Sequence, residues 1–322
     1  MLRSLSSAVS GLTSEQTAMD VTGNNIANST TTGFKATEVQ FGSLLSQTLT
    51  SGTTPNAAAG VAGGQNPQTV GLGVGVSAMN QEMGQGSLQE TGVPTDLALQ
   101  GNGFFILNSG TATYYTRAGD MQLDSAGNLV EGATGWEVQG WSAVTPAAGT
   151  AATATLGAWP PSTTYTTATP TSLTIPQEIA GGQQGTTAGA NYSLQSYSIN
   201  ADGTITGVYA EIPPAGTAAT ATAQTVSVVL GQIALATVPN PGGLAPVGNT
   251  AFTVAPDSGA PVNGAPGAGG NATITTGALE MSNVDLAQEM SNMVTFEAGY
   301  EADAKVITTA QEMIAALLAM KQ

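Results

Sequence analysis

Near the C-terminus, apolar and small residues recur at alternating four- and three-residue steps: Leu286, Met290, Met293, Tyr300, Ala304, Ile307, Ile314 and Leu318. Glu297 and Gln311 fill the two polar places in that series. A seam kept up over nearly five heptads predicts one long helix. Asn283 offers a start for it, and the acidic Asp285 and Glu289 suit the positive end of its dipole. About 35 residues at ~1.5 Å each make a rod of roughly 50 Å. A second stripe, Phe296, Gly299, Val306, Ala310, Met313, Leu317 and Met320, follows the same alternation and is broken once by Asp303. A single partner helix needs one seam. Two seams predict packing on two sides, and exposed apolar area of that extent marks an interface.

The N-terminus offers a matching piece, in which Leu2, Leu5, Val9, Leu12, Gln16 and Met19 step by three and four. Ser, Thr and Gly crowd its other faces, so its helix propensity is poor and it would be marginal alone in water. The expectation is a helix that becomes ordered on docking against the C-terminal helix and against neighbouring copies. Burial of one large apolar side chain contributes ~1.5–3 kcal/mol, so a few contacts decide the matter.

Between these ends the pattern changes to short, turn-bounded strand segments: 74–83, 97–107, 113–123, 129–138, 193–199 and 226–238. Asp124 through Gly127 and Asp202-Gly203 place Asp and Gly where tight turns need them. The predicted class is α+β: long N- and C-terminal helices forming a coiled-coil-like core domain, with a mostly antiparallel β domain between them. The corresponding layout is a helical assembly domain from 1–33 and 284–322, a linker and extended segment at 34–79, and a β-rich domain from 80–141 and 192–283. The remaining stretch, 142–191, is rich in Thr, Ala, Gly and Pro. It reads equally as a loop or as an inserted β module.

Composition narrows the chemistry. Of 322 residues, 42 are Gly and 16 Pro, an excess that favours turn-rich β structure. The formal charge is −16, from five basic and 21 acidic residues. Arg3, Lys35, Arg117, Lys305 and Lys321 are scattered singly, so no basic patch invites nucleic acid or an anionic membrane. Absence of Cys and His removes thiol nucleophiles, disulfides, imidazole bases and the usual zinc ligands. No stretch reaches the ~18 apolar residues of a membrane span, so direct membrane insertion is not expected. The serine-rich start lacks the apolar core of a secretory signal, so any export is expected by another route.

The informative segment follows the first helix: Asn24-Asn25-Ile26-Ala27-Asn28, then Gly33-Phe34-Lys35. Read from the residues, it is a structured helix stop, with Asn amides available to freed backbone groups and Gly33 permitting a reversal. Further motifs are Gly101-Asn102-Gly103-Phe104-Phe105, Tyr115-Thr116-Arg117-Ala118-Gly119, Asp202-Gly203, Gly231-Gln232-Ile233, and Gly277-Ala278-Leu279-Glu280-Met281-Ser282-Asn283. In this order the set resembles the bacterial flagellar rod and hook proteins over nearly the whole chain except 142–191. The opening Met1 to Leu5 and Gly63 to Gly73 look most like short hook proteins of Gram-positive type. The C-terminal helix departs from that family at Glu297, Ala298 and Gly299, where Gln-Arg commonly precedes the Tyr.

The resemblance implies a non-enzymatic subunit that polymerises with itself into a hollow, torque-transmitting tube, with a distal rod subunit as the alternative. It also implies an extracellular flagellar location, a flagellum-specific export apparatus, and the distal rod, hook cap and hook–filament junction proteins as partners. No cofactor is implied. The residues expected to carry assembly are Leu2, Leu5, Val9, Leu12, Met19, Asn24, Asn25, Ile26, Asn28, Gly33, Phe34, Leu286, Met290, Met293, Tyr300, Ile307, Ile314 and Leu318. Gly71-Leu72-Gly73-Val74-Gly75 lacks the Lys-Ser/Thr of a phosphate loop, and no acidic cluster has calcium-loop spacing. A surface carbohydrate-binding or adhesive β protein is the alternative of another class.

Overall fold

The computed structural model describes residues 2–54, 64–145, 154–156, 169–181, 184, 186–187, 190–212 and 225–320. The chain forms two compact units, one of Met1–Ser29, Ala36–Glu82 and Val284–Gln322, the other of Thr30–Lys35 and Met83–Asn283.

The expected α+β class with a coiled-coil-like core domain does not hold. The described chain is mostly β-strand, and its two α-helices, α1 (Leu2–Ala27) and α2 (Leu286–Ala319), lie at the two ends. They pack on each other without a coiled-coil seam. The reason lies in side-chain size. The stripe that α1 buries is Ala8, Gly11, Ser14, Ala18, Thr22 and Asn25, all small or short, rather than the large Leu5, Val9, Leu12 and Met19. Knobs-into-holes packing needs large residues at the seam. The less exposed positions of α2, Met293, Phe296, Gly299, Asp303, Ile307, Ala310 and Ile314, lie astride both predicted stripes. The serine- and threonine-rich faces of α1 turn their hydroxyls back on the helix, as in Thr13 Oγ1 to Ser10 O and Thr17 Oγ1 to Thr13 O, both 2.9 Å. Helix α2 starts at Asp285 rather than at Asn283. The Asp285 carboxylate accepts from the N–H groups of Ala287 (3.0 Å) and Gln288 (3.2 Å), which satisfies two otherwise free donors.

The rest of this unit is a paired ribbon built from the segment expected as linker. Strand β1 (Thr37–Ser43) runs antiparallel to β4 (Val74–Gln81), and β2 (Ser46–Thr50) to β3 (Gln68–Gly71). Residues 55–63, within the expected linker and extended segment, lie outside the described residues. Helix α1 rests on β1 and β4, with the Val74 N–H donating to Ser10 Oγ at 3.3 Å. Phe41 of β1 meets Phe296 of α2 edge-on, at 6.0 Å between ring centroids.

The other unit is built almost wholly of antiparallel strands. Short β5 (Leu88–Glu90) pairs with 278–280, and β6 (Leu97–Gln100) with 273–276. Strand β7 (Phe104–Asn108) pairs with β8 (Thr113–Thr116), with 137–142 and with 235–237. The expected single strand 97–107 is therefore two, parted by Gly101 (φ +115) and Gly103 (φ +150), conformations that side-chain-bearing residues rarely adopt. From 137–142 the sheet continues through 225–233, 204–212 and 191–199 to 178–180. One core gathers Leu97, Phe105, Leu107, Leu129, Ile179, Tyr192, Tyr209, Ile233 and Ile274, and a smaller one Phe104, Tyr115, Trp141 and Phe252. In the 142–191 stretch, strands 171–172 and 178–180 join this sheet. Residues 146–153 and 157–168, central to the choice between loop and module, lie outside the described residues.

Candidate functional site

Three sequence motifs meet at one buried carboxylate in the β-rich unit. Glu280 is fully buried and accepts from Lys35 Nζ at 2.7 Å, Arg117 Nη1 at 3.2 Å and the Gly86 N–H at 3.0 Å. Lys35 also donates to Gly84 O at 2.7 Å, and Arg117 Nη2 to Gly101 O at 2.8 Å. Arg117 lies 5.4 Å from the Phe104 ring centroid, a cation–π distance. Burial pulls the Lys35 ammonium below the usual lysine range; the hydrogen bond and charge of Glu280 oppose that, and Arg117 adds to it. Two cations share this one carboxylate. Removing that carboxylate would leave both cations buried without a counter-charge.

Backbone geometry delivers Lys35 to that place. Gly33 is buried at φ +67, and its N–H donates to Glu280 O at 2.8 Å. A Cβ there would lie 2.6 Å from Ala118 N. The turn after α1 thus needs glycine twice over, for its left-handed backbone and for its close approach to the Arg117–Ala118 peptide.

In the helical unit, Asn25 is the buried member of the Asn-rich helix stop, 1% exposed. Its Nδ2 donates to Thr37 O (2.9 Å) and Glu289 Oε1 (3.0 Å), while its Oδ1 accepts from the Thr37 N–H (3.1 Å). One amide therefore ties the end of α1 to the start of β1 and to the first turns of α2. Asn25→Ala strands the part-buried N–H and carbonyl of Thr37 and is expected to cost about 1–3 kcal/mol. Urea unfolding followed by circular dichroism measures it, and Asn24→Ala, at an exposed position, serves as the near-silent control.

The other expected residues separate by position. Asn28 Nδ2 donates to Asn24 O at 3.0 Å and closes the helix end locally. Ile26 and, in the other unit, Phe34 are half-buried. Leu5, Leu12, Met19, Met293, Ile307 and Ile314 are half-buried, whereas Val9 (46%), Leu286 (42%), Met290 (53%), Tyr300 (38%) and Leu318 (64%) are exposed. The side chain of Leu2 lies outside the described residues. Val306, Met313, Leu317 and Met320 of the second stripe are exposed as well. Sequence reasoning missed Lys35, Arg117 and Glu280 as a set. The available signal was that two of only five basic residues sit inside Gly-rich motifs.

The structure thus pairs the two terminal helices, leaves large apolar side chains exposed on them, and adds a β-rich unit. Residues 5–35 match the family described as flagella basal body rod protein, 98–207 the flagellar hook protein FlgE/F/G D1 domain, and 275–320 the flagellar basal body rod FlgEFG protein C-terminal region. The chain is 33% identical over 323 residues to the flagellar basal-body rod protein FlgG of Bacillus subtilis, covering 100% of both chains. It is 28% identical over 457 residues to the flagellar hook protein FlgE of Borreliella burgdorferi, again covering 100% of both. With FlgE of Treponema pallidum it shares 51% identity over 143 residues, 44% of this chain and 30% of that one. The chain belongs to the flagellar rod and hook protein family, and its role is that of a structural flagellar component.

Proposed function

We propose that the chain is the hook subunit, exported without a cleaved signal peptide and polymerised with itself into a hollow, flexible tube that transmits torque. The observation that carries polymerisation is the set of large side chains left exposed along both helices, Val9, Met290, Val294, Val306, Met313, Leu317 and Leu318 among them. Exposed apolar stripes on this scale suit a neighbouring copy. The choice of hook is supported by the 51% identity with the Treponema pallidum hook protein over the 143 residues they share, 44% of this chain.

A distal rod subunit is the second reading, favoured by the full-length match to that rod protein without large insertions. By resemblance, the partners of a hook subunit are the distal rod, the hook cap, the hook–filament junction proteins and the flagellar export apparatus. Tagged subunits located in isolated flagella by electron microscopy decide between the two. Label along a curved segment outside the cell envelope fits the hook; label confined to a straight segment within the envelope fits the rod.

A further inference from the structure

Two carboxylates lie in the contact between the paired helices, each against a glycine of the other helix. A Cβ built on Gly11 of α1 would collide with Asp303 Oδ2, and one built on Gly299 of α2 would lie 2.9 Å from Glu15 Oε1. Gly11 and Glu15 are four residues apart, and so are Gly299 and Asp303. Each helix therefore presents a glycine and a carboxylate one turn apart on one face, and each carboxylate enters the other helix's glycine gap. Glu15 Oε2 is shielded from solvent and has no hydrogen-bond partner.

No cation among the described residues offsets the two charges. Among the described residues, the ion pairs are those of Glu280, in the other unit. Strand β4 carries no ionisable residue, and β1 carries only Glu38, which is exposed. On α1 the other charged groups are Arg3 and Asp20, both exposed. On α2 they are Glu289, held by Asn25, and the exposed Glu297, Glu301, Lys305 and Glu312. Burial first, and then the charge of Asp303, raises Glu15 above the usual carboxylate range.

We propose that the Glu15 carboxyl is taken up neutral in the Gly299 gap of the α1–α2 contact, so that the terminal helices hold each other tightly in mild acid and loosen toward neutral pH. In the closed form Glu15 keeps its proton, because its carboxyl is shielded from water and no cation among the described residues stands beside it. Loosening exposes the Glu15 carboxyl, which releases that proton to water. The inference rests on the helix pair alone and stands equally for a hook or a rod subunit.

The direction of the pH dependence follows from linkage. Where the paired state raises a carboxyl pKa, pairing takes up a proton. Below the ordinary value of 4.5 both states are protonated and pairing has its full strength. As pH rises from there the separated helices ionise first, and pairing weakens until pH passes the raised pKa of the closed form. Each unit between the two values corresponds to about a tenfold change in the pairing equilibrium.

The test is hydrogen exchange of the full chain read on peptides covering 8–22, between pH 4.5 and 7.5, corrected for intrinsic exchange rates. Protection in the wild type should fall several-fold across that range. Glu15→Gln, which keeps a donor and cannot ionise, should flatten the profile and hold protection at pH 7.5 near the wild-type value at pH 4.5. Asp303→Asn should shrink the dependence as well and reads the same contact if the glutamine variant does not fold. A flat wild-type profile, or the wild-type dependence retained in either variant, overturns the proposal.

Discussion

Replacing Glu280 with alanine is expected to destabilise the β-rich unit by about 3–5 kcal/mol, because it leaves Lys35 and Arg117 buried without their counter-charge. The Gly86 N–H loses its acceptor in the same step. Lys35→Met should cost less, since Glu280 keeps Arg117 and the Gly86 N–H, and only the Gly84 carbonyl loses its donor. Urea unfolding followed by tryptophan fluorescence measures both. The expected sign is a midpoint that falls far more for Glu280→Ala than for Lys35→Met, with the slope unchanged. Equal losses would mean that Lys35, not the shared carboxylate, is the group that matters.

The second large effect is expected at Gly33. Alanine there must hold a left-handed backbone, at about 1–2 kcal/mol, and must also push its Cβ past the Ala118 N–H and Arg117 carbonyl carbon. Those are backbone atoms at 2.6 and 2.9 Å, which cannot swing aside as a side chain would. Overpacking adds about 1–3 kcal/mol. Gly110→Ala is the control, because Gly110 has a similar φ of +87 and open space around its Cβ. Its loss should be the conformational part alone. The difference between the two midpoints isolates the close approach of the helix stop to the Arg117 motif.

What the sequence made legible was governed by distance along the chain. Existence of both helices follows from local periodicity, and so do turns such as Asp124 to Gly127, where Asp124 Oδ1 accepts from the Ala126 and Asn128 N–H groups, both at 2.8 Å. The inward face of α1 was not legible. Hydrophobic periodicity counts large side chains, whereas the buried stripe is Ala8, Gly11, Ser14, Ala18 and Thr22, residues that a hydropathy count passes over. That is also why a coiled-coil-like core was expected where the helices meet through small residues instead. Lys35 and Glu280 are 245 residues apart, and nothing local predicts that they touch. Gly299, a weak point of the helix when read by propensity, is where the Glu15 carboxylate is received.

The central claim is that the stripes left exposed on α2 join one copy to the next. Val306 and Leu317, 42% and 52% exposed, belong to the second stripe and make little of the chain's own core. Sedimentation and negative-stain microscopy of a Val306→Glu, Leu317→Glu variant beside the wild type test the claim most directly. The predicted result is wild-type helix content and melting temperature with no sedimenting tubes. Tubes formed at wild-type yield would contradict the account, and so would a double variant that fails to fold as a single chain.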